Sequence, residues 1–341
     1  MVSFESDYNN GACKEVLSAL CATNGETHTG YMCDDLCKTA REKILKACGR
    51  EDAKVYFAVG GTQANALVIG TVLKDYQGVM AAKTGHISLH EGGAIEFTGH
   101  KVIELSHKEG KVVPEELKQY LITFYGDENL DKMVFPGMLY ISHPTEYGTL
   151  YTKSELAELS GICHEYGMKL YLDGARLGYG LCAKDTDVTL KDIAELCDIF
   201  YIGGTKVGAL CGEAIVFTGD TMPPHFDTVA KQRGAMIAKG RLLGAQFDAL
   251  FTDDTYFKIS AHAIDMAMKI RELFLEKGYR LFIDSPTNQQ FVVLSNEKME
   301  ELKDKVGFCF WEKTDETHTV VRFASSWATS EADIEYLRKL L

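Results

Sequence analysis

Leu170-Tyr-Leu-Asp-Gly-Ala-Arg176 is a short apolar run that ends abruptly in charged residues and glycine, and Ile199-Phe-Tyr-Ile-Gly-Gly-Thr-Lys206 ends in the same way. Both runs have the length and composition of buried β-strands. Asp173 and Lys206 are 33 residues apart, which leaves room for one helix and one strand. The pattern predicts strands of a parallel α/β sheet, in which ligands bind beyond the carboxyl ends of the strands.

Similar apolar runs alternate with helical patterns along much of the chain, as they do in parallel βαβ units. In the helical pattern 153–166, Leu156, Leu159 and Ile162 fall on one face. We therefore predict an α/β fold with a mostly parallel, seven-stranded sheet and helices on both faces. The predicted strands are 55–59, 78–82, 101–105, 138–142, 170–173, 199–203 and 213–217.

The last third of the chain leaves this pattern. Long helical segments come first, and the second of them ends at Gly278, a typical helix C-cap. Short strands and a terminal helix follow, which predicts a small α+β domain. The predicted elements are helices 241–250, 259–277 and 330–341 and strands 291–294, 307–311 and 319–323. We expect an N-terminal arm at 1–15, a large domain at 16–245 and a small domain at 246–341.

Charge and composition narrow the class of protein. A chain of 341 residues is longer than one hydrophobic core usually organises, and 46% hydrophobic with 25% charged residues is ordinary for a globular protein. The net charge is −13 and the basic residues are scattered, which argues against nucleic-acid or membrane binding. The expected partners are a small molecule and further copies of the chain.

Cysteine usage indicates a reducing compartment. The ten cysteines are irregularly spaced, and the close pair Cys33 and Cys37 has no second pair at zinc-site spacing. No metal site is predicted. The N-terminus lacks the basic and apolar regions of a signal peptide, and no run of about 18 apolar residues occurs. A cytoplasmic enzyme is expected.

Asp173 and Lys206 suggest a cofactor. A lysine amine forms a Schiff base with the aldehyde of pyridoxal 5′-phosphate, and an aspartate keeps the pyridine nitrogen protonated so that the ring accepts electrons. Asp173 would be costly to bury at a strand end without a cationic partner, and a protonated pyridine supplies one. Strand-end Asp and Lys also occur by chance, so the pair alone leaves both interpretations open.

A second candidate is the turn Gly60-Gly61-Thr62-Gln63-Ala64-Asn65, which follows a strand and opens a helix. Backbone N–H groups and the helix dipole could hold a phosphate there, with the Thr62 hydroxyl adding a hydrogen bond. The turn matches neither the Walker pattern nor the dinucleotide fingerprint, and a purely structural turn remains an alternative.

Two further strand ends carry polar side chains. His86 lies within 84–93 and could stack on the cofactor ring or carry protons near neutral pH. The stretch 142–149, with His143 and Glu146, could bind substrate groups. The alternatives are an ordinary polar loop for His86 and a Pro- and Gly-containing turn for 142–149.

Together these segments resemble the low-specificity L-threonine aldolases of the aromatic amino-acid β-eliminating lyase/threonine aldolase family. The resemblance runs in order along nearly the whole chain. It is carried by Gly61-Thr-Gln-Ala-Asn65, His86 with Glu91-Gly-Gly93, Asp173-Gly-Ala-Arg176, Gly203-Gly-Thr-Lys206, Ala238-Lys-Gly-Arg-Leu-Leu-Gly-Ala-Gln-Phe247 and Val321-Arg-Phe-Ala-Ser-Ser-Trp327.

The resemblance implies a fold-type-I pyridoxal-phosphate enzyme that is a homodimer or homotetramer with shared active sites. It implies Lys206 as Schiff-base lysine, Asp173 at the pyridine nitrogen and His86 on the ring. Gly61, Thr62 and Thr205 would bind the cofactor, together with Arg176, which could instead contact the substrate carboxylate. Arg322 and Ser6 would bind that carboxylate, and Tyr31 and the segment 231–234 would enter the neighbouring subunit's site.

The implied reaction is cleavage of L-threonine or L-allo-threonine to glycine and acetaldehyde, a carbon–carbon lyase activity in threonine catabolism and glycine formation. His86 is the leading candidate for the base that acts on the β-hydroxyl. Many family members have a histidine where this chain has Thr145 and Glu146, with His143 nearby, and His90 is a further departure. Two alternatives stay open: elimination or aldol cleavage of another β-substituted amino acid, and a non-catalytic protein that retains the fold.

Overall fold

The computed structural model describes residues 2–341, so Met1 of the expected arm lies outside the described residues. Strands and helices alternate through the first two thirds of the chain. The strands are β1 Val2–Ser3, β2 Lys54–Ala58, β3 Gln77–Ala82, β4 Val102–Leu105, β5 Phe135–Ser142, β6 Lys169–Asp173, β7 Ile199–Gly203, β8 Glu213–Phe217, β9 Arg280–Leu281, β10 Gln289–Ser295, β11 Val306–Gly307, β12 Cys309–Lys313 and β13 His318–Ala324.

The α-helices range from single turns to the long α11. They are α1 Lys14–Thr23, α2 Asp35–Cys48, α3 Gly61–Val72, α4 His86–Leu89, α5 Pro114–Tyr125, α6 Lys153–Glu165, α7 Leu177–Leu181, α8 Leu190–Leu196, α9 Phe226–Gln232, α10 Arg241–Leu250, α11 Thr255–Glu276, α12 Asn296–Leu302 and α13 Glu331–Leu340. Among residues 2–341, no helix is long and apolar enough to cross a membrane.

The large sheet has seven strands in the order β2-β8-β7-β6-β5-β3-β4. Only β8 runs antiparallel to its neighbours, and the other pairs are parallel. Every residue of β7 and β8 is buried, because helices cover both faces of the sheet. The predicted seven-stranded, mostly parallel α/β architecture is confirmed, and each predicted strand overlaps an observed one.

The C-terminal part forms a four-stranded antiparallel sheet in the order β12-β13-β10-β9. Helix α11 packs on it, with Ile270, Leu273 and Phe274 buried against Phe323. Gly278, at a φ of +80°, follows this helix as expected for a C-cap. The predicted small α+β domain is therefore present.

The N-terminal arm reaches the small C-terminal domain, where β1 pairs in parallel with β11 in a separate two-stranded sheet. The expected boundary between residues 245 and 246 falls inside α10, whose residues pack on α1 and α2. A helix moves as one unit, so we propose that the large domain ends after α10, in the short connection before α11.

The turn after β6 approaches β7 very closely. A Cβ atom on Gly174 would overlap the carbonyl oxygen of Tyr201, while a Cβ on Gly161, in helix α6, would meet nothing within 4 Å. Only a residue without a side chain therefore fits at position 174, directly after Asp173.

We expect Gly174→Ala to lower the free energy of unfolding by about 1–3 kcal/mol, because the added methyl group overpacks the turn. Gly161→Ala is the matched control and should raise the stability slightly, because alanine favours a helix interior. Urea denaturation of the two variants measures both effects. Equal stabilities for the two variants would contradict the close approach of β6 and β7.

Candidate active site

Two adjoining cavities of about 600 and 310 Å³ open at the carboxyl ends of the central strands. The side chains that line both are those of Tyr8, His86, Glu146, Arg176 and Lys206. The smaller cavity continues to Asp173 and the turn at Gly61, and the larger one continues to Arg322. The sheet thus brings together predicted site residues that are far apart in the sequence.

Asp173 is 4% exposed and fully hydrogen bonded. Its carboxylate accepts hydrogen bonds from the Tyr140 hydroxyl at 2.6 Å, the Tyr201 hydroxyl at 2.5 Å, Asn65 Nδ2 at 3.1 Å and the Ala175 N–H at 3.0 Å. Burial by itself raises the pKa of Asp173, but the nearby His86 and these hydrogen bonds outweigh it, so the pKa lies below its usual range. The group is an ionised carboxylate that can face a protonated ring nitrogen.

A hydrogen-bonded chain leads from Asp173 to His86. Asn65 donates through Nδ2 both to Asp173 and to Glu91 Oε1, the latter at 2.6 Å, while Asn65 Oδ1 accepts from the Tyr171 hydroxyl at 2.8 Å. Glu91 Oε1 also lies 2.8 Å from Nδ1 of His86. The imidazole is therefore held in one orientation, with its other nitrogen left for the cavity.

Lys206 follows the end of β7 and projects into both cavities. Burial, together with the positive charge of Arg176, lowers the pKa of Lys206 to about 8. About a tenth of this amine is then unprotonated at pH 7, and the unprotonated amine is the form that attacks an aldehyde. Nζ lies 5.9 Å from the centre of the exposed Tyr8 ring.

The predicted phosphate turn opens helix α3. Gly60 is extended at the N-cap and has no side-chain cap, so the first N–H groups of α3 are free to bind an anion. A Cβ on Gly61 would lie 2.9 Å from the Tyr201 hydroxyl. Gly61, Thr62 and Thr205 line the small cavity together with Asp173 and Lys206. This set of donors and charges fits pyridoxal phosphate.

Arg176 is already paired with a carboxylate. The Asp7 carboxylate accepts hydrogen bonds from Nε of Arg176 at 2.6 Å and from Nη2 of Arg176 at 3.0 Å. It also accepts one from Nδ2 of Asn288 at 2.9 Å. Burial alone would raise the pKa of Asp7, but Arg176 and Lys206 lower it to about 2. The N-terminal arm therefore supplies the counter-ion for this buried arginine.

Arg322 projects from β13 into the larger cavity. Its Nη1 donates to Oε1 of Gln289 at 3.0 Å and its Nη2 to the Glu5 carbonyl at 3.2 Å. Nε of Arg322, Nε2 of Gln289 and Oγ of Ser6 are buried and have no hydrogen-bond partner within residues 2–341. Three unused polar groups on neighbouring elements suit an anionic ligand such as a carboxylate.

Glu146 lines both cavities, and two hydrogen bonds hold its carboxylate in place. Oε1 accepts the backbone N–H of His86 at 2.9 Å, at the start of α4, and the Ser142 hydroxyl at 2.7 Å. Burial raises the pKa of Glu146. The nearby His90 also lines the larger cavity, and burial followed by the charges of His86 and Arg322 lowers its pKa.

Three of the predicted substrate contacts, Ser6, His143 and Tyr31, line neither cavity. Ser6 is buried, next to Glu5, whose carbonyl accepts a hydrogen bond from Arg322. His143 is completely buried beside Tyr151, with ring centres 6.4 Å apart, and it lines neither cavity. Tyr31 is 47% exposed, lies on a different surface cavity, and has the ammonium group of Lys231 4.5 Å from its ring centre. Within one chain, neither His143 nor Tyr31 can touch a ligand bound at Lys206.

Several polar groups of the site are not among the residues predicted from the sequence. They are Asp7, Tyr8, Asn65, Glu91, Tyr140, Tyr201, Glu213 and Gln289. Asn65 and Glu91 stood inside quoted motifs. Glu213 was the only charged residue in a predicted strand that is otherwise apolar, which is a signal that could have found it. The tyrosines gave no such signal, because buried aromatic residues are common in strands.

Residues 3–296 match a family described as beta-eliminating lyases. The low specificity L-threonine aldolase of Pseudomonas sp. strain NCIMB 10558 is 30% identical, over 98% of this chain and 95% of that protein. The solved structure of Leishmania major threonine aldolase is 39% identical, with a TM-score of 0.96 and coverage of 100% of this chain and 98% of that chain. An aspartate aminotransferase of Thermus thermophilus, 16% identical with a TM-score of 0.70 over 100% of this chain and 96% of its own, shares the fold.

We expect Asp7→Asn to lower the free energy of unfolding by about 3–5 kcal/mol, because it leaves the buried Arg176 without its counter-ion. Asp52→Asn is the matched control, since Asp52 pairs with Arg50 through two hydrogen bonds of 2.7 Å at the surface. Its loss should have a much smaller effect. Chemical denaturation at neutral pH measures both, and equal losses would contradict the buried pairing.

His143 should make the protein sensitive to acid. Burial lowers the pKa of His143 from 6.5 to about 4, so the unfolded chain binds this proton first as the pH falls. Stability is therefore lost between pH 6.5 and 4, by up to about 3 kcal/mol. His143→Leu should reduce this loss, whereas His318→Gln at the surface should not. Unfolding free energies measured across this pH range test it, and parallel curves for wild type and His143→Leu would refute it.

Proposed function

Because this chain belongs to the beta-eliminating lyase family, we propose that it is a pyridoxal-phosphate-dependent aldolase that cleaves L-threonine and L-allo-threonine to glycine and acetaldehyde. The observation that carries this proposal is one cavity system that holds Lys206, with its pKa lowered to about 8, the ionised Asp173 and the cationic Arg322. Relatives that carry the name threonine aldolase support the choice of substrate.

The residues around Lys206 would hold the cofactor. Gly61, Thr62 and Thr205 would bind the phosphate, and His86 would lie against the ring. When bound, pyridoxal phosphate supplies an electrophilic aldehyde and a ring that takes up the electron pair left at Cα. Asp173 would keep the ring nitrogen protonated, because its own four hydrogen bonds favour the ionised form of the carboxylate.

Arg322 would orient the substrate. Its guanidinium lies in the larger cavity, where Gln289 and the Glu5 carbonyl fix it, and the buried Ser6 hydroxyl belongs to the adjoining arm. A carboxylate bound there would leave the rest of the substrate facing Lys206, which lines both cavities. Arg176 is neutralised by Asp7, so Arg322 would be the main carboxylate ligand.

We assign the proton transfer at the β-hydroxyl to His86. Glu91 holds Nδ1 at 2.8 Å, which would leave Nε2 to accept the hydroxyl proton. Glu146 stands beside His86 in both cavities and would contact the hydroxyl in place of the histidine that many relatives have. Lys206, with its lowered pKa, would return to the cofactor as glycine leaves.

The decisive experiment incubates the cofactor-loaded protein separately with L-threonine and L-allo-threonine and measures acetaldehyde and glycine. We expect the two products in equal amounts, and we expect Lys206→Ala to abolish both, because no other lysine among residues 2–341 lines the cavities. Ammonia and a keto acid would instead indicate an eliminating lyase. Turnover retained by Lys206→Ala, or no reaction from cofactor-bound wild type, would overturn the proposal.

We further propose a homodimer or homotetramer. Two large side chains are exposed in the single chain: Phe97, which is 94% exposed, and Tyr31, which is 47% exposed and has Lys231 over one face of its ring. A neighbouring subunit would bury them, and Tyr31 and Lys231 would then reach that subunit's cavity. Each of the ten cysteines is a free thiol, which supports the proposal of a reducing, cytoplasmic location.

A further inference from the structure

Glu213 lies between the two loops that would bind the cofactor. It is the first residue of β8, and it pairs with Ala58 at the end of β2 and with Gly203 at the end of β7. The chain continues from Ala58 into the turn at Gly60 and from Gly203 into the loop that carries Lys206. The strand register therefore places the Glu213 carboxyl group beside both the turn at Gly60 and the loop that carries Lys206.

The Glu213 carboxyl group is buried but borders the ligand space. Glu213 is 3% exposed and lines the smaller cavity together with Gly60, Gly61, Thr62 and Thr205. Its Oε2 accepts the backbone N–H of Gly204 at 3.1 Å. That bond fixes one oxygen of the carboxyl group and leaves Oε1 to carry a proton.

The charges around Glu213 decide its state. Hydrogen bonds from the Thr205 hydroxyl and the Gly204 N–H favour the ionised form of Glu213, as does the cation Lys206, while the anion Asp173 disfavours it. The hydroxyls of Tyr171, Tyr201 and Tyr256 also lie near it. Burial raises the pKa of Glu213 to about 8. A phosphate dianion in the same cavity would favour the neutral acid further, because two anions in a buried site repel each other.

We propose that Glu213 is a protonated carboxylic acid in the cofactor-bound protein and that its O–H group donates a hydrogen bond to the cofactor phosphate bound at Gly60–Thr62. This role rests on the cofactor of the proposed function and extends it to the recognition of the phosphate. The helix N-terminus and Thr62 supply N–H and O–H donors from one side, and Glu213 supplies a donor from the sheet.

The test compares the dissociation constants of pyridoxal phosphate and pyridoxal for the cofactor-free protein between pH 7 and pH 9. The ratio of the two constants isolates the phosphate, since Lys206 reacts with both compounds and the phosphate stays a dianion in this range. In wild type, the preference for pyridoxal phosphate should fall about tenfold over this range, as a group titrating near pH 8 would require.

Glu213→Gln should keep a strong preference for pyridoxal phosphate at every pH, because the amide donates a hydrogen bond without a titrating proton. Glu91→Gln changes another buried carboxylate, one that lines neither cavity, and is the matched control that should show the wild-type fall. A preference that is independent of pH in wild type, or that falls equally in Glu213→Gln, would overturn the proposal. Either result would favour an ionised Glu213 paired with Lys206.

Infrared spectra of the wild-type complex keep the test valid if Glu213→Gln does not fold. The carbonyl band of a protonated carboxylic acid should be present at pH 7, and its absence would refute the proposal. Binding is measured separately from cleavage. A protein that recognises the phosphate through Glu213 but does not cleave threonine would refute the proposed reaction alone, whereas cleavage without the pH-dependent preference would refute only the role of Glu213.

Discussion

The buried carboxylate of Asp173 is the group on which the rest of the site depends. An ionised carboxylate with 4% exposure is costly unless hydrogen bonds replace its water, and here two tyrosine hydroxyls, an asparagine amide and a backbone N–H do so. These donors come from β5, β7, α3 and the turn after β6. The arrangement requires that turn to lie against Tyr201, which only Gly174 permits.

The remaining charges are arranged in layers around this carboxylate. Burial, followed by the positive charge of Arg176, lowers the pKa of Lys206. Asp7 pairs with Arg176, so that this guanidinium is not a second free site for a carboxylate. Arg322 keeps buried donor capacity unused in the larger cavity. Anionic groups of a ligand would therefore meet a distinct partner at each end, with the amine of Lys206 between them.

The arm and the small domain contribute as much to the site as the large sheet. Strand β1 pairs with β11, which places Glu5, Ser6 and Asp7 between Arg322 and Arg176. Gln289 begins β10 and holds the guanidinium of Arg322. The larger cavity, where the substrate would bind, is thus built where three parts of the chain meet, and the smaller cavity, where the cofactor would bind, is built on the parallel sheet.

The sequence by itself determined the seven strands, the small C-terminal sheet, and the meeting of Asp173, Lys206, His86 and the Gly61 turn, because hydrophobic periodicity and the carboxyl-end rule for parallel sheets are local or topological properties. Only the tertiary structure decided which polar side chains complete the site. It turned His143 into the interior, paired Arg176 with Asp7, and set Glu213 beside the phosphate turn. These outcomes depend on strand register and on contacts between residues as far apart as 7 and 176, which no local pattern encodes.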